Sequence, residues 1–280
     1  MINSTREIPI NLNQKNIQDY LDCPRKYQLT SLDNLAWPAA VSANLAKIER
    51  STYLGNQFHL ICQQYFSGIP PALLEDQIID PDLKIMWENF LPFGISLIEY
   101  PAIPEQLLSY LYYDHRLIAK FDLIVKNSST KYIILDWKTG FKKPSREVLI
   151  NRVQSYLYPF IFCHSGSDLF DENSINPDQV EMHYFYPFCT DPHEVFPYSE
   201  QIHTEISSRL EKIISDITKT IQGSDKFPLT EDHIQCQYCI FRSLCDRGVN
   251  PGTYESFLPI EHENLTNEIF DIGQVGEVEY

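Results

Sequence analysis

The sequence predicts an α/β domain in which helices flank a central sheet, and three observations predict it. Tyr132-Ile133-Ile134-Leu135-Asp136-Trp137-Lys138 reads as a strand with apolar residues on both faces, so it is central and covered on both sides. Two more strand patterns, Leu107–Tyr113 and Arg116–Val125, lie directly upstream, followed by the polar turn Asn127-Ser128-Ser129. Helix-period segments at 46–66, 151–162 and 199–222 are interleaved with these strands and with a further one at Val180–Phe188.

Each element has its own justification. Asn13 to Leu29 reads as two short helices, with Asn13 the N-cap of the first and Pro24 opening the second. On the helix over 46–66, Gly55, His59, Cys62, Gln63 and Phe66 share a face, where the missing side chain at Gly55 permits a close approach. Pro70, Pro71, Pro81, Pro92, Pro101 and Pro104 punctuate 67–107, which reads as a helical insertion around 82–91 with irregular flanks. In the strand over 116–125, Asp122 interrupts an apolar run, where a carboxylate is costly unless paired or bound to a cation. Gln154 and Tyr158 stand one helical turn apart on the helix over 151–162.

The chain of 280 residues has room for a substantial core, and 43% hydrophobic content excludes disorder throughout. No apolar run approaches the ~20 residues of a membrane helix. The N-terminus lacks the layout of a signal peptide, so a cytoplasmic location is expected. The net charge of −16 is unfavourable for a nucleic-acid partner unless it is unevenly spread. It is uneven: residues 153–208 hold nine acids and no Lys or Arg, and none follows Arg247. Lys138, Lys142, Lys143, Arg146 and Arg152 form a basic run against Glu147 alone. A solvated loop and a phosphate-facing patch both suit that run.

Asp136 and Lys138, two residues apart, project from one face where the central strand ends at Thr139-Gly140. In isolation they would read as an ion pair capping a strand. Asp122 on the neighbouring strand changes this, because adjacent strands can bring the two carboxylates together. Near the C-terminus, Cys236, Cys239 and Cys245 form a C-x2-C-x5-C pattern. Three thiols need a fourth for a closed site, which zinc or an iron–sulfur cluster would accept, and Cys23 is the natural candidate. Cys62, Cys163 and Cys189 sit among apolar residues and read as buried and inert.

Together, Gly55-x3-His59, Asp122, Asp136-Trp137-Lys138-Thr139-Gly140 and Gln154-x3-Tyr158 resemble, in order, the motifs of the RecB-like branch of PD-(D/E)XK nucleases. Cys23 with Cys236, Cys239 and Cys245 resembles the four-cysteine iron staple of AddB-like and CRISPR-associated adaptation nucleases. Ala119 stands where relatives carry glycine, and the acidic tail 248–280 has no counterpart in the motifs. The resemblance implies a restriction-endonuclease-like core, a mixed sheet flanked by helices. It implies one nuclease domain over 1–247, with the insertion about 67–107 and an iron–sulfur lobe formed by 13–30 and 226–247.

It further implies Mg²⁺ or Mn²⁺ held by His59, Asp122, Asp136 and the main-chain carbonyl of Trp137, with Asp122, Asp136 and Lys138 catalytic. A [4Fe–4S] cluster would sit on the four cysteines. Gln154, Tyr158, Lys142, Lys143, Arg146 and Arg152 would contact DNA. The expected activity is exonucleolytic or end-processing hydrolysis of single-stranded or frayed DNA in repair. The alternatives are a CRISPR adaptation nuclease and a non-catalytic DNA-end-binding subunit. Expected partners are DNA and either a helicase or CRISPR adaptation proteins.

Overall fold

The doubly apolar stretch at 131–137 lies in the middle of a six-stranded mixed sheet. The structure, a computed structural model, describes residues 10–37, 39–40, 44–128, 131–223 and 225–253. Most of the acidic tail, residues 254–280, lies outside the described residues.

The strands are β1 (Asn11–Leu12), β2 (Ala102–Tyr112), β3 (His115–Ser128), β4 (Lys131–Trp137), β5 (Val180–Phe185) and β6 (His193–Pro197). Antiparallel β2 takes one edge of the long β3; parallel β1 and antiparallel β4 share its other edge. β5 runs parallel to β4, and β6 closes the sheet antiparallel to β5. The helices are α1 (Gln14–Asp22), α2 (Pro24–Tyr27), α3 (Leu45–Phe66), α4 (Pro71–Glu75) and α5 (Pro81–Leu97), then α6 (Arg146–Asn151), α7 (Val153–Ser165), α8 (Glu200–Gly223) and α9 (His233–Gln237).

Two apolar layers cover the sheet, as the alternation in β4 requires. Tyr132 and Ile134 of β4 pack with Met182 and Tyr184 of β5 against α1, α7 and α8. Ile133, Leu135 and Trp137 face the other way, into an aromatic layer with Phe58 and Phe66 of α3, Phe90 of α5 and Phe185. Trp137 stacks on Phe66 with 6.0 Å between ring centroids and meets Phe90 edge-on at 5.1 Å. This layer fixes α3 beside the end of β4, and α3 carries His59. No described helix is long and apolar enough to cross a membrane.

The expected caps are present. Asn13 and Asn16 exchange side-chain-to-backbone hydrogen bonds of 2.8 and 2.9 Å around the start of α1, and Pro24 opens α2. Several boundaries differ from expectation. The irregular stretch after the insertion ends at Pro101, because β2 begins at Ala102 and runs through Pro104. As an edge strand, β2 can tolerate a residue with no N–H to donate. The short α6 and the strands β1 and β6 go beyond the expected elements.

The terminal segments meet. Arg25 N donates to Pro228 O at 3.1 Å, Gln28 bonds to Asp225 O and Phe227 N, and the Tyr27 ring stacks on Phe227.

Candidate active site

Sheet register assembles the site. β2 pairs with β3 through Pro104↔Leu123 and Gln106↔Phe121, so Glu105 and Asp122 stand opposite each other between those pairs. β3 pairs with β4 from Leu123↔Leu135, and one step further places Asp136 beside Asp122. Three carboxylates thus occupy one level on three adjacent strands. Glu105 takes a left-handed backbone (φ 53°), an uncommon conformation for a residue with a side chain, and it breaks the regular run of β2 here.

His59 reaches this row from α3. Its Nδ1 lies 3.3 Å from Asp122 Oδ1 and its Nε2 3.2 Å from the carbonyl oxygen of Trp137. With an acceptor facing each ring nitrogen, the arrangement favours the doubly protonated imidazole. Burial opposes that charge, but the Asp122 carboxylate outweighs burial and holds His59 above its usual pKa. Asp122 responds in kind: burial would raise it, yet His59 and the N–H of Trp137, which donates to Oδ2 at 3.0 Å, keep it below the usual carboxylate range.

Asp136 is held differently. Its Oδ2 lies 2.8 Å from Lys138 Nζ, but the oxygen is buried and accepts no hydrogen bond of good direction. The contact is therefore an ion pair. Gln154 Nε2 donates to Asp136 Oδ1, and Lys138 Nζ donates to Gln154 Oε1 at 2.9 Å, closing a three-membered ring of side chains. The Tyr184 ring lies 5.6 Å from the ammonium. Burial, opposed by Lys138 and reinforced by Asp122, pushes the Asp136 carboxyl up to about 6. Burial disfavours the Lys138 ammonium too, but Asp136 outweighs it and keeps the lysine protonated.

Among the described residues, His59, Glu105 and Asp122 are the one group of three side chains whose ligand atoms lie within 4.8 Å of one another. Sequence reasoning named His59 and Asp122 but missed Glu105, and Asp136 is turned aside toward Lys138 and Gln154. Gln154, expected on a phosphate, is buried with its amide committed to Asp136 and Lys138. Tyr158 is buried against Phe121, with 4.9 Å between ring centroids.

Part of the basic run is also committed. Lys143 pairs with Asp191 at 3.0 Å and with Glu194 at 2.8 Å, and Arg146 pairs with Glu194 at 2.7 Å. These acids of the β5–β6 turn and β6 neutralise a patch expected to face phosphate. Lys142 is exposed, and Arg152 caps α7.

The four expected ligand cysteines lie on or beside the segments around 25–28 and 225–228 that meet. Cys23 joins α1 to α2, Cys236 lies in α9, and Cys239 and Cys245 follow in turns. Burial pushes the thiols of Cys236, Cys239 and Cys245 up, Cys239 to about 11, and the neighbouring Cys23 acts in the same sense on each. Arg25, Lys26, Lys226 and Arg247 act in the opposite sense on one or another of them. No three of the four sulfurs meet the 4.8 Å spacing of the carboxylate group.

Among solved structures, the chain is similar to the crystal structure of SSO0001, with 14% identity, 86% of this chain and 88% of that chain covered, and a TM-score of 0.38. It is also similar to a candidate exonuclease from Eubacterium rectale, with 8% identity, coverage of 79% and 85%, and a TM-score of 0.49. No curated protein matches it. The sequence profile of one family matches residues 11–89 and 81–246, a span that takes in all six strands, the carboxylate row and the cysteines. The chain belongs to the PD-(D/E)XK nuclease superfamily.

Proposed function

We propose that the chain is a metal-dependent deoxyribonuclease of the RecB-like branch, hydrolysing phosphodiester bonds at single-stranded or frayed DNA ends in repair. The observation that supports this is the row of Glu105, Asp122 and Asp136 across three strands, with His59 against Asp122 and Lys138 against Asp136. Nucleases of this superfamily use divalent metals, and the residues fit one. Carboxylate and carbonyl oxygens are hard ligands suited to Mg²⁺ or Mn²⁺, and the imidazole tilts the preference toward Mn²⁺. The His59 ring already lies between Asp122 and the Trp137 carbonyl, with one nitrogen toward each. The buried Asp136 Oδ2 has acceptor capacity to spare. His59, Asp122, Asp136 and the Trp137 carbonyl would hold the ion, and Glu105 adds a carboxylate within reach.

Such an ion neutralises charge on the scissile phosphate and lowers the pKa of a water. The protein's own part is positional. Lys138 keeps a fixed ammonium where negative charge develops on phosphate oxygens, in a site that needs no reorganisation to provide it. Gln154 fixes Lys138 and Asp136 relative to each other, and Lys142 and Arg152 would meet the DNA backbone.

The cysteines are proposed to hold a structural [4Fe–4S] cluster that joins 13–30 to 226–247 within a single domain over 1–247. Four cations acting on three of the four thiols, in a chain of net charge −16, suit an anionic thiolate-ligated cluster.

The test is cleavage of end-labelled single-stranded and duplex DNA. Cleavage is expected with Mn²⁺ or Mg²⁺, faster on the single strand, and abolished by a chelator. Activity that survives the chelator, or none with either metal, would reject the proposal.

Metal binding should also depend on pH. His59 and Asp136 must both be deprotonated to act as ligands, and both are held above their ordinary pKa, Asp136 at about 6. Mn²⁺ affinity measured by calorimetry should therefore rise steeply from pH 5 to 7.5, by up to about tenfold per unit for each proton released. An affinity that stays flat over that range would remove both residues from the ligand set.

A further inference from the structure

The end of the sheet that carries Lys138 also carries two aromatic side chains with no part in the chemistry above. Phe141 lies three residues beyond Lys138, and Phe188 three residues beyond Phe185. β4 and β5 are parallel and Lys138 N donates to Phe185 O at 2.8 Å, so both loops leave the sheet at the same end. Their rings stack with 4.5 Å between centroids and 27° between planes. Phe188 is half-buried and anchored against the aromatic layer around Trp137, whereas Phe141 is 48% exposed. Three residues of chain span at most about 10 Å, so the pair sits within about one or two nucleotides of Lys138. Lys142, next to Phe141, is exposed, while Lys143 is held by Asp191 and Glu194.

We propose that Phe141, backed by Phe188, is a stacking platform for an unpaired base of the DNA strand entering the site, with Lys142 on the adjoining phosphate. The proposal rests on the nuclease reading and deepens it by naming what selects the substrate. An anchored aromatic ring beside an unengaged cation is the combination with which proteins hold single strands without reading their sequence. A base inside a duplex presents no free face and would first have to be unpaired and unstacked. The platform therefore favours ends that are already open. It also offsets a weakness of this chain, whose net charge and partly neutralised basic run leave little electrostatic attraction for DNA.

The test compares wild type, Phe141→Ala and Phe141→Trp. Binding of a single-stranded oligonucleotide carrying 2-aminopurine and of a blunt duplex is measured in chelator, and the KM for single-strand cleavage in Mn²⁺. Phe141→Ala should weaken single-strand binding by about 5- to 150-fold, the loss of one stacked base. It should raise KM in parallel, abolish 2-aminopurine quenching and leave duplex binding unchanged. Phe141→Trp should retain all of these. Because Phe141 is half exposed, thermal melting should confirm that the alanine variant is folded. Wild-type single-strand affinity and KM in Phe141→Ala, or an equal loss for both DNAs, would reduce the pair to a loop latch and overturn the platform, while metal-dependent cleavage by wild type kept the nuclease reading intact. Wild type that neither binds nor cleaves DNA would overturn both.

Discussion

Lys138→Ala is expected to lower the turnover of DNA cleavage by about 100- to 1,000-fold, the usual cost of removing one group that stabilises transition-state charge. DNA affinity should change little, because an interaction that strengthens only as the phosphorane-like charge develops appears in kcat and not in KM. The ring of Asp136, Lys138 and Gln154 complicates a simple reading. Lys138 is what opposes the rise of the Asp136 carboxyl, so its loss should push that group above about 6 and weaken metal binding at neutral pH. The comparison therefore belongs at pH 8 with saturating Mn²⁺, both of which favour the ionised Asp136 carboxylate in either protein. A deficit that persists there is the ammonium's own contribution. One that disappears would show that Lys138 serves only to keep Asp136 charged. Asp122→Ala is the reference for complete loss, since it removes a carboxylate that His59 and the Trp137 amide both engage. Lys142→Glu should show the converse pattern, weaker binding with turnover preserved.

How much of this was legible in the sequence depended on whether the determinant was local. The central strand, expected over 132–138, occupies Lys131–Trp137, because two-sided apolar alternation has few other solutions. Asn13 and Pro24 act through one or two bonds to near neighbours, and their caps could be read directly. Glu105 could not. It lies between Pro101, Pro104 and an apolar run, which reads as the end of a loop, and neither its left-handed backbone nor its place opposite Asp122 has a local sequence signal. The commitment of Lys143 and Arg146 was equally hidden, since Asp191 and Glu194 lie about fifty residues further on. Gln154 was found by its spacing, but spacing does not say whether an amide faces solvent or a buried ion pair. The strand β1 has two residues and no periodicity to detect.

Replacing Cys23 by alanine should remove iron and acid-labile sulfide from the protein and expose the seam between its two ends. Cys236, Cys239 and Cys245 lie within ten residues of one another and could converge on their own, whereas Cys23, as the proposed fourth ligand, would bring in residues 13–30. Closing a loop of that length removes about 5 kcal/mol of unfolded-chain entropy by the loop-closure relation used for disulfides. Not all of it would be lost, because contacts independent of the thiols still hold the seam. They include the Arg25–Pro228 backbone bond, the two bonds of Gln28 and the hydroxyl of Tyr20, which reaches Asp216 at 2.7 Å. The variant should thus remain folded at low temperature but melt earlier and aggregate as the apolar surface around Tyr20 and Tyr27 opens. Cys236→Ala, Cys239→Ala and Cys245→Ala should lose iron in the same way. Cys62→Ala, Cys163→Ala and Cys189→Ala should keep it, since Cys62 of α3 lies in the aromatic layer and the other two pack against the opposite core. Iron, sulfide and zinc analysis of the seven variants decides the matter. A Cys23→Ala protein with a full complement of iron would show that the ends are not tied through this thiol, and a colourless wild type containing one zinc would keep the four-ligand site but replace the cluster.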